Sequence, residues 1–171
     1  MEKTPTKLNL GCGKDIKKGY LNVDFEDFEK FEGVDKVYDL NKLPYPFKDN
    51  QFEVILMHNI LEHLDDSYKV MKEIFRILKP GGIVHLYVPH FSSDCAWGDL
   101  QHKKGYSIGA FTAPDVTWMF KVIKNKICFN RFRLITPLYA NIFPVFYERV
   151  LAYIFPASHL DVTLKKIKNK K

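Results

Sequence analysis

Cysteine is scarce in this sequence, and the short motifs that bind nucleotide phosphates are missing. The three cysteines, Cys12, Cys95 and Cys128, form no CxxC pair, which argues against a disulfide framework or a thiolate zinc site. The GxxxxGK[ST] loop is absent, so we do not expect a nucleoside triphosphatase. The first residues lack the long apolar run of a signal peptide, so we expect a cytoplasmic protein.

Positive charge is unevenly distributed along the chain. Residues 1–120 carry 15 Lys and Arg against 18 Asp and Glu, a net charge of −3, whereas residues 121–171 carry 11 against 2, a net charge of +9. Such asymmetry is typical of a surface that binds RNA, an anionic membrane or another polyanion. A solvated lysine tail would give the same counts and is the simpler interpretation.

The length of 171 residues predicts one domain, 1–171. Short apolar or alternating runs predict strands at 7–11, 20–25, 34–40, 52–57 and 83–88, and helical spacing predicts a helix at 65–78. Strands separated in this way by a helix are typical of a parallel α/β sheet. Further along, we expect a lid loop at 90–112, a helix at 112–122, strands at 129–135 and 162–167, and an aromatic helix at 138–157 inserted between the last two strands.

Two glycines follow the first predicted strand and indicate a ligand site. Gly11 and Gly13 allow the backbone to approach a ligand closely, and Asp24, which ends the second strand, can accept hydrogen bonds from both hydroxyls of a ribose. A dinucleotide fingerprint would need a small residue at position 16, where the chain has Ile16. The pattern therefore favours a nucleoside without phosphates over NAD.

Four ordered stretches together resemble the class I S-adenosylmethionine-dependent methyltransferases, in particular the small-molecule, type 11-like branch. They are LNLGCG at 8–13, NVD at 22–24, DLNKLPYPFKDNQFEVILMHNILEHL at 39–64 and ILKPGGIVHLYVPH at 77–90. The resemblance covers about half of the chain and implies a doubly wound, mostly parallel, seven-stranded Rossmann-like sheet. It also implies S-adenosyl-L-methionine as the cofactor and in-line transfer of a methyl group to an acceptor.

The resemblance implies roles for residues that the pattern alone leaves open. We expect the cofactor to be bound by residues at the ends of the first four strands, namely Leu10, Gly11, Cys12, Gly13, Asp24, Phe25, Asp39, Leu40, His58, Asn59, Ile60 and His63. Only eight residues, 12–19, separate the first two strands, which is too few for a crossover helix. We therefore expect reduced N-terminal helices. We also expect an apolar sheet face that must be covered by segment 138–157, by a second subunit in a homodimer, or by both.

The residues that follow the strands predicted at 52–57 and 83–88 bear on the acceptor and on catalysis. We expect a small-molecule or glycan-type acceptor, because HNIL at 58–61 replaces the Asn/Asp-Pro-Pro-aromatic motif of enzymes that methylate nucleic acid bases. His90 and His102, on the predicted lid, are our candidates for a general base. We expect no metal ion, since His58, His90, Asp94 and His102 have no ligand spacing. The alternative is a non-catalytic module that binds RNA or an anionic membrane through the basic C-terminal third, and a methyltransferase that has lost its activity stays open as well.

Overall fold

The computed structural model describes residues 5–25, 32–130 and 136–167, and these include seven strands of a single sheet. The strand order is β3-β2-β1-β4-β5-β7-β6, with β7 antiparallel to both of its neighbours and the first five strands parallel. The strands are β1 (Lys7–Leu10), β2 (Leu21–Asp24), β3 (Lys36–Val37), β4 (Phe52–His58), β5 (Leu78–Pro89), β6 (Phe120–Cys128) and β7 (His159–Lys166). The predicted α/β fold with a mostly parallel, seven-stranded sheet is confirmed.

Helix α1 (Ser67–Ile77) connects β4 to β5 and packs on the sheet. It begins where Asp66 accepts a hydrogen bond from the backbone N–H of Lys69 at 3.0 Å, an N-cap that satisfies one of the free donors of the first turn. Its buried face carries Val70 and Ile74, which recur at helical spacing. The helix predicted at 65–78 is therefore confirmed within two residues at its start.

The chain after β5 differs from the prediction. Two short helices follow β5, namely α2 (Asp94–Trp97) and α3 (Pro114–Thr117). The helix predicted at 112–122 is therefore a single turn, α3, because β6 begins at Phe120. Strand β6 ends at Cys128, and most of the strand predicted at 129–135, residues 131–135, lies outside the described part of the chain. β6 is an edge strand with three exposed lysines and a register shift between Val122 and Lys124, so it lacks the apolar alternation of a buried strand.

The segment predicted as one aromatic helix at 138–157 forms several helical turns between β6 and β7. These are α4 (Thr136–Ile142), α5 (Pro144–Phe146) and a π turn (Tyr147–Leu151). The side-chain amide of Asn141 donates to the Ile127 carbonyl and its oxygen accepts from the Ile127 N–H, so the segment is attached at the carboxyl end of β6. Among the described residues, no helix has both the length and the apolar character needed to cross a bilayer.

The two faces of the sheet differ in polarity. One row of neighbouring residues, Leu8, Ile55, Val84 and Leu164, is fully buried and forms the centre of the core. On the opposite face, His85 and Thr163 hydrogen-bond across β5 and β7, with 3.1 Å between Nδ1 and Oγ1.

The loop between β1 and β2 lies over part of this opposite face. Asn9 donates to the Asn22 side chain at 3.1 Å and to the Asp15 carbonyl at 2.9 Å, and residues 11–20 contain no helix. The predicted loss of the first crossover helix is therefore confirmed. Apolar side chains lie on this face as well, among them Val54, Leu56 and Ile83, so the expectation of an apolar face that must be covered stays a prediction.

Candidate functional site

A cavity of about 720 Å³ opens at the carboxyl ends of β1, β2 and β4. This is the edge of a parallel sheet where loops converge and where ligands of open α/β folds bind. The residues that line it are Gly11, Gly13, Asp24, Phe25, Asp39, Leu40, Asn41, Asn59, Ile60, His63, Leu64, Asp99, Leu100, Gln101 and Lys103. Its volume lies in the ordinary range for a small-molecule site.

The two glycines differ in what surrounds them. Gly11 has a φ of +65°, and a Cβ there would lie 2.4 Å from Cγ1 of Ile60. Gly13 has a φ of +47°, and a Cβ there would meet nothing within 4 Å. Gly11 is therefore needed for backbone conformation and for the close approach of the β4 loop, whereas Gly13 leaves open space beside the cavity.

Asp24 joins the glycine loop to the end of β2. One carboxylate oxygen accepts the N–H of Gly13 at 2.5 Å, and the other accepts the N–H of Phe25 at 2.7 Å. Each carboxylate oxygen can accept more than one hydrogen bond, so the side chain keeps acceptor capacity toward the cavity that it lines. The arrangement fixes a buried carboxylate and an open glycine next to each other at the cavity wall.

Three residues predicted to bind the cofactor lie outside the cavity lining. Leu10 is fully buried in the core, and Cys12 is buried beneath the loop. Burial, followed by the charge of Asp24, raises the pKa of the Cys12 thiol to about 12, so this thiol stays neutral at physiological pH. His58 is half-buried, and its ring lies 6.3 Å from that of Tyr87.

The loop that follows β3 contributes one more wall. Asp39 and Leu40 both line the cavity, and Leu40 is held by a hydrogen bond of 3.1 Å from the Tyr45 hydroxyl to its carbonyl. Asn41, which the sequence analysis did not single out, accepts the N–H of Asp65 at 2.9 Å and so ties this loop to the start of α1. The sequence signal that could have placed Asn41 in the site was its position directly after the Asp39-Leu40 pair.

The long loop after β5 also reaches the cavity, through residues that the sequence analysis missed as ligands. Asp99, Leu100, Gln101 and Lys103 line it. The Lys103 N–H donates to the Glu62 carbonyl at 2.9 Å, and its ammonium pairs with Asp65. The loop is thus attached to the β4–α1 connection. Its place at the carboxyl end of β5 was the only sequence signal for a role in the site.

The two predicted catalytic histidines lie in different surroundings. His90 is fully buried; its Nε2 lies 3.2 Å from Glu148, which also accepts the Ile108 N–H at 2.6 Å, and its Nδ1 lies 2.8 Å from the Ser92 hydroxyl. Both ring nitrogens therefore have partners, and His90 does not line the cavity. His102 lies between two lining residues, with its ring 4.5 Å from that of His63.

A protein-family model described as a methyltransferase domain matches residues 15–86. A protein of unassigned function from Methanocaldococcus jannaschii is 36% identical over 83 residues, which cover 44% of this chain and 36% of that protein. A demethylmenaquinone methyltransferase from Bacillus licheniformis is 31% identical over 72 residues, which cover 42% of this chain and 31% of that enzyme. The chain thus spans about a third of the length of these two relatives.

Solved structures are similar over nearly the whole chain. An S-adenosylmethionine-dependent methyltransferase from Archaeoglobus fulgidus superposes with a TM-score of 0.68 at 18% identity, covering 94% of this chain and 85% of that one. A methyltransferase from Haloferax volcanii, solved in complex with the activator Trm112, gives a TM-score of 0.63 at 18% identity, covering 98% of this chain and 85% of that one. These structures share the fold of this chain.

Proposed function

We propose that the chain is a class I S-adenosylmethionine-dependent methyltransferase of the type 11 branch. In this proposal it transfers the methyl group of S-adenosylmethionine to a small-molecule or glycan-type acceptor by in-line displacement. The observation that carries the proposal is the pairing of Asp24 with Gly13 at the wall of the cavity. It combines a buried carboxylate suited to the two hydroxyls of a ribose with open space for the ligand.

The residues present fit this cofactor. Asp24 accepts the ribose hydroxyls, and Asp39 with Leu40 provides a carboxylate for the adenine amine beside an apolar cover. Gly13, at whose Cβ position the structure has open space, makes room for the methionine part. When bound, S-adenosylmethionine supplies a methyl group on a positively charged sulfonium. The protein contributes alignment and the exclusion of water, which are the main sources of rate for such a displacement.

A general base is needed only if the acceptor has a proton to lose. His90 and His102 stay predictions in this role, and they differ in access. A base at His90 would have to give up its contact with Glu148 or with Ser92, whereas Nδ1 of His102 has no hydrogen-bond partner among the described residues. We therefore favour His102 as the residue that acts on the acceptor side.

Calorimetry with S-adenosylhomocysteine, followed by an assay of its release from S-adenosylmethionine with panels of phenols, amines and sugars, tests the proposal. Binding that is lost in Asp24→Ala but kept in Asp115→Ala, a carboxylate of α3 outside the cavity, supports it. Absence of binding in the folded protein, together with salt-sensitive binding to RNA, would favour the non-catalytic module instead. Binding without release for every acceptor would favour a chain that has lost its activity.

An exposed apolar surface favours a peripheral membrane contact as a second property. We define the 138–154 patch as the exposed apolar side chains of α4, α5 and the turns that follow: Leu138, Tyr139, Ile142, Phe143, Val145, Phe146, Val150, Tyr153 and Ile154. Tyr153 is 82% exposed and Leu138 is 66% exposed. Two basic residues are exposed here: Arg149 lies within the segment, and Lys126 precedes Ile127, to which the segment is attached. Aromatic side chains beside basic ones are typical of proteins that lie on an anionic bilayer.

Sedimentation with vesicles that contain phosphatidylserine tests this contact. We expect the wild-type chain to bind and Phe146→Asp to bind at least ten-fold more weakly, with Tyr68→Asp as the control, since Tyr68 is an exposed aromatic on α1. Binding that is equal in the two variants would contradict the proposal. A dimer in solution that Phe146→Asp dissociates would instead assign the patch to a homodimer.

A further inference from the structure

Three side chains with metal-binding atoms meet beside the cavity. Glu62 and His63 lie on the 3-10 turn Leu61–His63 that follows β4, and His102 comes from the long loop after β5. One ligand atom from each of the three lies within 4.8 Å of the others. The backbone hydrogen bond from Lys103 to Glu62, 2.9 Å long, fixes the loop to the turn and holds the three residues together.

The cluster contains buried polar atoms that nothing on the described part of the chain satisfies. Glu62 is fully buried, and neither of its carboxylate oxygens has a hydrogen-bond partner there; the same is true of Nδ1 of His102. Buried polar groups are nearly always paired, because an unpaired carboxylate loses its hydration without compensation. Each of these three atoms carries a lone pair that could bind a metal ion.

The two imidazoles are arranged so that each can present a nitrogen lone pair. Their rings meet edge to face at 74°. Nδ1 of His102 has no hydrogen-bond partner among the described residues, so its lone pair is available for a ligand bond, whereas Nε2 lies 3.9 Å from a carboxylate oxygen of Asp99, beyond hydrogen-bond distance.

We propose that Glu62, His63 and His102 bind one divalent transition-metal ion, with Zn²⁺ as the ion best matched to two imidazoles and one carboxylate. Three protein ligands of this kind leave at least one coordination position open for water or another oxygen. Mg²⁺ is a poor match, since it prefers oxygen ligands and keeps its waters.

The position of the site suggests what the ion does. His63 also lines the cavity, so the ion lies at the cavity wall, where an acceptor hydroxyl can occupy its open position and lose its proton more readily. With the ion bound, Nδ1 of His102 holds it, and this role replaces the general-base role proposed above for the metal-free protein; the acceptor's proton then passes to water. This catalytic role rests on the proposed methyl transfer, whereas binding of the ion does not.

Titration of the full-length chain, freed of metal with a chelator, with ZnCl₂ in a calorimeter tests the proposal. We expect one Zn²⁺ per chain. Loss of an outer-shell partner of a metal ligand costs about ten- to 100-fold in affinity, so loss of a direct ligand in Glu62→Gln or His102→Gln should weaken binding by at least about 100-fold. His85→Gln is the control, because His85 is a half-buried histidine that pairs with Thr163 on the opposite face of the sheet, and it should bind as the wild type does. Co²⁺ should give a visible absorption band in the wild type and in His85→Gln, and a much weaker band in Glu62→Gln and His102→Gln. MgCl₂ should not compete with Zn²⁺.

Thermal unfolding shows whether each variant is still folded, so that a loss of the fold is not mistaken for a loss of the zinc site. Zn²⁺ should raise the midpoint of the wild type and of His85→Gln, but not that of Glu62→Gln, which keeps the size of the side chain and removes its charge. Equal zinc affinity in all variants would assign the ion to other donors, such as exposed Cys95, and would overturn the proposal, as would no binding by the folded wild type. S-adenosylhomocysteine affinity, measured on the same metal-free samples, tests the proposed function separately.

Discussion

Replacement of Gly11 by alanine should destabilise the protein more than the same change at other glycines with a positive φ. The cost has two parts. The left-handed conformation at φ +65° costs an alanine about 1–2 kcal/mol. The new Cβ would lie 2.4 Å from Cγ1 of Ile60 and 2.6 Å from its Cβ, and forcing the β4 loop away adds about 1–3 kcal/mol. We expect the free energy of unfolding to fall by roughly 2–5 kcal/mol.

Two matched variants separate these parts. Gly19 has a φ of +81° with nothing within 4 Å, and it does not line the cavity, so Gly19→Ala should show the conformational cost alone. Gly13→Ala should show the same cost in stability and should also weaken cofactor binding, because its Cβ projects beside the cavity. For a chain of this length, each kcal/mol corresponds to about 2–4 °C in the unfolding midpoint.

Urea or thermal unfolding, combined with calorimetry of S-adenosylhomocysteine, measures both effects. The expected order of stability is wild type, then Gly13→Ala and Gly19→Ala together, then Gly11→Ala; affinity should fall in Gly11→Ala and Gly13→Ala only. If Gly11→Ala unfolds at the same midpoint as Gly19→Ala, the contact with Ile60 is not a constraint. The geometric reasoning on the glycine loop would then be refuted.

Three further predictions concern single side chains. Asp24→Asn should bind S-adenosylhomocysteine about ten- to 100-fold more weakly, because the loss of charge weakens hydrogen bonds from ribose hydroxyls by roughly 1.5–3 kcal/mol; an unchanged dissociation constant would remove Asp24 from the site. Asp66→Ala should lose its N-cap bond and about 1 kcal/mol of stability with cofactor affinity unaffected, so a denaturant titration that shows no change would contradict the cap. At pH 8 a disulfide reagent should modify exposed Cys95 rapidly and Cys12 only after unfolding, because the pKa of Cys12 is raised to about 12 and its thiolate is therefore suppressed; rapid modification of two thiols, with Cys12 identified by mass spectrometry, would show the reverse.

The first half of the fold could be predicted because its determinants are local. FEVILM at 52–57 is apolar on both faces of the strand, as the central strands of parallel sheets are. Asp66 precedes the helical spacing of α1 and caps it. The glycines and Asp24 end their strands, and parallel strands bring such ends to one edge of the sheet. Each of these signals lies within a few residues.

The missed parts depend on contacts between residues far apart in the sequence. Gln101 and Lys103 reach the cavity because the backbone of Lys103 bonds to Glu62, and no local pattern encodes that contact. β6 was missed because an edge strand with exposed lysines and a register shift has no clear alternation. The cofactor role expected of Cys12 stays a prediction; its side chain is buried between Gly11 and Gly13, which both have a positive φ.

The hydrogen-bonded pairs on the second face of the sheet bear on whether the fold needs its first crossover helix. Asn9 bonds to Asn22 and His85 bonds to Thr163, so these buried or half-buried polar side chains are paired within the protein. A short loop can therefore take the place of the crossover helix without leaving these polar side chains unpaired. Replacement of His85 by leucine and of Thr163 by valine would enlarge the apolar area of this face, and we expect such a protein to self-associate.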